Sequence, residues 1–443
     1  MRPLESLTYE AVVGLLTANF TRMADGRDPQ RLRYGLRDTL LSGYAMFFLQ
    51  HPSLLQFQES LKRKRGRCNL EVMFGVSAVP SETQMRESLD GADPEGVRAI
   101  LPQLFERVRR AGWATHFQTT LSGGATAGTY YVMALAGTDY FHSTCLSCPQ
   151  CLVRADREGV AHYRHTVVAA TVVRAGSHRI LPVDAEMCQP QDGAQKQDCE
   201  VEAAKRLIGR VRHEHRQLPL IVTGDDLYSH VPFVQALKQQ RMHYIVVAKP
   251  SSHAELWEWV EDLERLKATE WVEWRVGPAC QQKSYRARIA RCVPLRQDAA
   301  VEATFVEVWE TKRKGEQVYH NSWVTDLAVT AGNVAEVVHI GRAKWKIENE
   351  QFNVQKNGGY HLTHNYGHGQ QHLSAVFYYL NLLAYVTHVI LELGDRLYKR
   401  VREMAGRRDE LWHGVRTLVN YFVWQSWAAL LEHMLDDEAG LPP

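Results

Sequence analysis

Residues 131–151 read YVMALAGTDYFHSTCLSCPQC. The opening apolar run is that of a strand buried on both faces. It ends in Ala136-Gly137-Thr138-Asp139 and then enters a cluster of three cysteines, Cys145, Cys148 and Cys151. The stretch therefore raises two chemical possibilities, one at the strand end and one in the thiols.

Outward from this strand the period stays that of a sheet. YRHTVVAATVV (163–173) and HRILPVDAEM (178–187) are β-branched runs joined by a short hairpin-type connection. A helix is predicted over CEVEAAKRLIGRVRHEHRQ (199–217), with Asp198 as its cap. PLIVTGDDLY (219–228) is a buried strand ending in two acids, HVPFVQALKQQ (230–240) a helix, and HYIVVAKP (243–250) another strand. The order β-β-β-α-β-α-β predicts a mixed sheet with helices on its faces.

Five regions follow. Residues 1–125 read as helical, with a Ser-x-x-Gln capping pattern at 81–84. Residues 126–250 hold the first part of the sheet. Residues 251–335 carry six of the eleven tryptophans in alternating runs, the mark of an inserted β-rich subdomain. Residues 336–370 take in nearly all of AEVVHIGRAKWKIENEQFNVQK (335–356), read as one long helix, and a Gly/His/Asn-rich loop; 371–443 return to helix.

Net charge is only +2, but basic residues cluster at 62–67, 206–216 and 396–408. Such local patches are what a phosphate backbone feels. Lys62, Arg63, Lys64 and Arg65, with Arg342 and Lys346, are the candidate DNA contacts. No uninterrupted apolar run reaches the roughly 18 residues of a membrane span. The N-terminus lacks the pattern of a secretion signal, so a cytoplasmic protein with no membrane partner is expected.

Acids at strand ends are costly to place for packing alone. Asp225, with Asp226 beside it, and Glu348 on the later helix are therefore candidate metal ligands. Two divalent ions held by such acids sit about 3.5–4 Å apart and promote in-line displacement at phosphorus. Mg2+, or Mn2+, suits that task because it keeps phosphate oxygens among its ligands. In a cytosolic chain, cysteines at this spacing favour a metal over disulfides. Cys148, Cys151, His165 and Cys199 are expected at one end of the strand meander, an ordinary structural Zn2+ set. Cys145, His162 and Cys188 are nearby substitutes. Trp257, Trp259, Trp271 and Trp274 are read as core, with stacking on a base as the alternative.

LRDTLLSGYAMFFLQHPSLLQF, PSETQMRESLD, GTDYFHS, CPQC, YRH, KQDCEVEAAKR and GRAKWKIENEQFNVQKNGGYHLTHNYGHGQQHLS resemble the DDE transposases of bacterial insertion sequences, over roughly residues 30–390. The resemblance implies an RNase H-like catalytic domain with a β-rich insertion. It also implies DNA cleavage and strand transfer at terminal inverted repeats, and a homodimer on paired double-stranded ends. It places the second catalytic acid on Asp225, the glutamate on Glu348, and basic helpers on Lys344 and Lys356. The first acid would precede Gly137-Thr138, where this chain has Ala136. Asp139 is a poor substitute, since three residues turn a side chain to the other face and move it about 10 Å along the strand. The expectation is a chain that binds DNA but cleaves poorly. A repurposed DNA-binding protein and a stand-alone metal-dependent nuclease are the alternatives.

Overall fold

The computed structural model describes residues 7–436 except 29, 31, 191–198, 279–281, 297–300 and 314. Asp198, the cap expected before the helix at 199, lies outside the described residues.

Among the described residues, eleven strands form one mixed sheet: β1 Gln118–Leu121, β2 Gly128–Ser143, β3 Leu152–Ala155, β4 Ala161–Val173, β5 Ile180–Met187, β6 Leu220–Gly224, β7 His243–Val247, β8 Glu270–Val276, β9 Lys283–Pro294, β10 Glu302–Lys312 and β11 Gln317–Thr325. The order is β3-β4-β2-β6-β7-β11-β10-β9-β8, with β1 on β2 and β5 on β4. Among the described residues, β2–β6 and β6–β7 are the parallel pairs, the others being antiparallel. Their crossovers run through the helices Glu200–Glu214 and Val231–Gln239. The central strand β6, LIVTG, is buried at every residue, as a parallel strand covered on both faces must be.

The expected β-rich insertion is an extension of the same sheet. β11 returns antiparallel to β7, pairing Trp323 with Val247 and Thr325 with Ile245, and β10, β9 and β8 follow outward. The short strands β1 and β3 have no clear signal in the sequence.

The helical segments at the two chain ends pack together. Tyr9 stacks on Trp427 with ring centroids 4.9 Å apart, Phe48 meets Trp412 at 5.3 Å, and the Tyr44 hydroxyl donates to Thr387 at 2.9 Å. At their centre is the 22-residue helix Leu373–Gly394, whose most apolar window has mean hydropathy 1.5 and is 89% buried. It is long and apolar enough to cross a membrane, although Asn381, Thr387 and His388 interrupt its apolar run. Its burial within the fold marks it as a core helix.

Two local expectations change. Ser81 stands at the N-cap of its helix, but its hydroxyl meets the Gln84 side chain at 3.1 Å rather than a backbone amide. The helix predicted over 335–356 is regular through Val334–Arg342, then widens into a π-turn at Ile347–Phe352 before Asn353–Asn357. π-turns of this kind gather at functional positions in proteins.

Candidate functional site

The parallel pairing of β2 with β6 brings the predicted strand-end positions together. Ala134 pairs with Thr223, so Ala136, two residues on, stands beside the chain at Asp225. Asp225 is still extended (φ −79°, ψ −173°), and its carboxylate caps the following 3-10 turn by accepting from Leu227 N at 3.1 Å. Ala136 is 2% exposed, its methyl packed in the core.

The π-turn packs against β2 and carries Glu348. Lys344 Nζ lies 2.5 Å from Glu348 Oε1 and 3.8 Å from Asp225 Oδ2. One ammonium thus sits between the two acids, Lys344 being largely buried and both carboxylates partly open to solvent. Lys356 Nζ donates to Thr138 Oγ1 at 2.6 Å, and burial lowers its pKa. Ala136, Asp225, Glu348, Lys344 and Lys356 therefore meet at one edge. Asp139 is bound elsewhere, to Arg164 at 3.5 Å and to the Thr166 hydroxyl.

Asp226 turns away from this edge, accepting from Lys249 N at 2.7 Å and from Ser252. Glu200, unremarked in the sequence, closes the edge from the first turn of its helix. Its Oε1 accepts from Gly137 N at 2.8 Å and from the Tyr228 hydroxyl at 2.6 Å. Burial raises its pKa, the Tyr228 hydrogen bond opposes the rise, and the Asp225 charge adds to it.

The cysteine cluster forms with one change of partner. Cys148, Cys151, His165 and His368 bring one ligand atom each within 4.8 Å of one another. Cys148 Sγ is 3.6 Å from Cys151 Sγ and 3.3 Å from His165 Nε2. His368 Nδ1 is 3.2 Å from His165 Nε2 and 3.9 Å from Cys151 Sγ. These four can hold a metal ion. Cys199, expected as the fourth ligand, is an exposed helix N-cap with no place in the cluster. Of the substitutes, Cys145 is exposed and His162 bonds to His142 and Asp156 instead. A hydrogen bond from Cys148 lowers the Cys151 thiol to about 7, while Cys148 itself is raised, so Cys151 loses its proton first.

The cluster sits close to the carboxylate edge along the same strands. His165 is on β4 opposite Phe141 of β2, and His368 follows the π-turn in the loop after Asn357. The Phe141 ring meets the His368 ring edge-on at 3.8 Å.

No family model matches the chain. No curated protein matches it either.

The basic runs divide. Lys62, Arg63, Lys64 and Arg65 lie exposed at the junction of the helices Leu54–Lys62 and Lys64–Phe74. Lys62 pairs with Glu59, and the Arg63 guanidinium lies 5.9 Å from the Tyr421 ring. In the run at 206–216, Arg206, Arg210 and Arg212 are turned inward while Arg216 is exposed. Arg206 holds Glu186, Arg210 holds the fully buried Asp184 together with Glu186, and Arg212 donates to five backbone carbonyls around its helix end. In the third run, Arg402 and Arg408 pair with Glu392. Arg342 is committed to Glu310 at 2.5 Å, a carboxylate 1% exposed, and lies over Tyr319. Lys346 is buried beside Trp345, which lowers its pKa. Neither is a free cation for DNA.

Among the tryptophans, Trp257 packs on Phe305 as core. Trp271 stacks on Trp309 at 5.5 Å under Arg286, Trp274 stacks on Tyr285 at 5.2 Å, and Trp259 is 42% exposed. Trp259 and Trp271 are surface aromatics, contrary to the core reading, whereas Trp274, like Trp257, is half-buried against the core.

Proposed function

We propose that this chain is a DDE-type DNA transposase by descent, with an RNase H-like catalytic sheet, that binds DNA ends but does not cleave them as it stands. The observation that carries the reading is the Lys344 ammonium seated between Asp225 and Glu348, at the end of the strand adjacent to Ala136. A cation already fits there. Asp225 and Glu348 are the residues that would hold a divalent ion, Mg2+ or Mn2+. Such ions, when bound, activate the attacking oxygen and offset charge on the leaving one. With a methyl group at 136 the set is one carboxylate short, so it would hold two ions poorly and would not support cleavage.

The chain's own residues do the rest. The exposed run Lys62–Arg65 supplies the backbone contacts that position a duplex without reading its sequence. Lys344 serves as the counter-ion of the paired acids until a metal or phosphate takes its place. The Cys148–Cys151–His165–His368 cluster would hold Zn2+. Tetrahedral zinc with sulfur at about 2.3 Å and nitrogen at about 2.0 Å spaces its ligands at about 3.8 Å for two sulfurs and about 3.3 Å for two nitrogens. The separations of 3.6 and 3.2 Å fit that geometry. All four positions would come from the protein, so such an ion would be structural and would brace the loop after β2 against the loop after the π-turn.

Ala136→Asp tests the reading. The variant gains Mg2+- or Mn2+-dependent cleavage of DNA carrying its own terminal repeats, and adding Asp225→Asn or Glu348→Gln abolishes the gain. A folded Ala136→Asp protein that stays inert on those ends overturns the assignment. The second reading, a repurposed DNA-binding protein, is favoured by the close packing of the Ala136 methyl, and is distinguished by whether the native locus encodes alanine without flanking repeats.

A further inference from the structure

The tetrapeptide Ala136-Gly137-Thr138-Asp139 contains a glycine whose conformation does not demand one. Neither Gly137 nor Gly224 is among the positive-φ glycines. Both leave room for a neighbouring side chain. A Cβ on Gly137 would lie 2.3 Å from the Glu200 carboxyl carbon, and one on Gly224 would lie 2.6 Å from the Tyr228 ring. These two glycines end β6 and flank the active position of β2. Their missing side chains admit one connected pair of groups, because Tyr228 donates to the same Glu200 oxygen that accepts from Gly137 N.

We propose that Glu200 is a positioning residue of the carboxylate edge, clasping the tips of β2 and β6 on a single oxygen and so fixing the separation of position 136 from Asp225. The inference rests on the reading of that edge as a cation site. An acid in the first turn of a helix is ordinarily favoured by the helix dipole. Glu200 goes beyond that role, since its two hydrogen bonds reach a strand and a 3-10 turn rather than amides of its own helix. Its carboxylate also lies within electrostatic range of Asp225 and Lys344, so the clasp stands directly behind the edge. A misplacement near 1 Å is enough to spoil a metal site, whose ligands must be held within about 0.5 Å.

Two measurements on the full-length chain test this. Hydrogen exchange reads the segments 134–140 and 224–229, and Mn2+ titration of the Ala136→Asp protein reads the edge. In Glu200→Ala, exchange in both segments rises together by about tenfold or more, and Mn2+ affinity falls by at least about fivefold. Glu200→Gln, whose amide oxygen accepts the same two hydrogen bonds, stays within about twofold of its parent in both. Should Glu200→Ala fold poorly, Tyr228→Phe removes half of the clasp with almost no change of shape, and loses about threefold in Mn2+ affinity. Faster exchange with unchanged Mn2+ affinity would reduce Glu200 to a structural residue and overturn the proposal, as would unchanged exchange in both Glu200→Ala and Tyr228→Phe. Asp225→Asn separates the two claims. If it leaves Mn2+ affinity intact, the cation site itself is wrong. If it abolishes binding while Glu200→Ala and Tyr228→Phe do not weaken it, only the positioning role fails.

Discussion

His165 Nε2 and His368 Nδ1 lie 3.2 Å apart although 203 residues separate them in the chain. Two imidazoles brought this close, with two thiols beside them, have a common ion as their simplest reason for meeting. Purified protein should carry about one equivalent of zinc. His368→Ala or Cys148→Ser should bring that below half an equivalent and lower the thermal midpoint by several degrees. Cys199→Ser should change neither. Elemental analysis with thermal unfolding checks all three variants.

Acid should strip the same site. Metal-bound thiolate and imidazole must compete with protons, so affinity falls as pH falls. Zinc release, followed with a chromogenic chelator, should rise steeply below about pH 6 in the parent chain. A release profile flat down to pH 4 would mean the ion sits elsewhere.

The basic clusters make opposite predictions. Arg210 and Arg98 neutralise Asp184, which is wholly buried. Truncating one partner of such a network leaves a buried charge uncompensated, at a cost of about 3–5 kcal/mol. Arg98→Met should therefore unfold at markedly lower denaturant without altering the salt dependence of DNA binding. Lys64→Ala with Arg65→Ala should do the reverse. Their stability stays level, while the slope of log affinity against log salt falls by about 1 per side chain removed.

His243 gives a pH signature of stability. Its Nδ1 lies 3.0 Å from Asp326 Oδ2, and that hydrogen bond raises its pKa despite half-burial. A group raised on folding contributes stability that is fully present below its unfolded pKa, about 6.5, and is lost as pH rises through the folded value. Between pH 6 and 8 the parent should lose stability that His243→Gln never had. Urea unfolding of both proteins at pH 6 and 8 shows whether their difference narrows as required.

Much of the sheet was legible because its strands are written in β-branched runs, and because Asp225 follows one of them directly. Lys344 and Glu348 are one turn apart on a predicted helix, so their meeting was readable as well. The π-turn was not, since no residue type marks a widened turn. His368 was missed because the loop from 357 to 372 holds four histidines of equal appearance, and only tertiary structure chooses among them. Cys199 was chosen for its place at a strand-meander end, but it caps a helix and points to solvent. The run at 206–216 looked like a DNA face because its partners, Asp184 and Glu186, sit in a strand whose alternation hides two buried acids. Glu200 gave no signal at all, as its role depends on empty space at Gly137 and Gly224.

The cluster also sets an order of events during synthesis. Cys148, Cys151 and His165 leave the ribosome almost together, whereas His368 emerges only after β6, β7 and the whole β8–β11 extension. An ion captured by the first three would wait with one coordination position open. His368 lies in the loop just after the π-turn, which packs on β2, so closing the coordination sphere would report that the two halves of the edge have found each other.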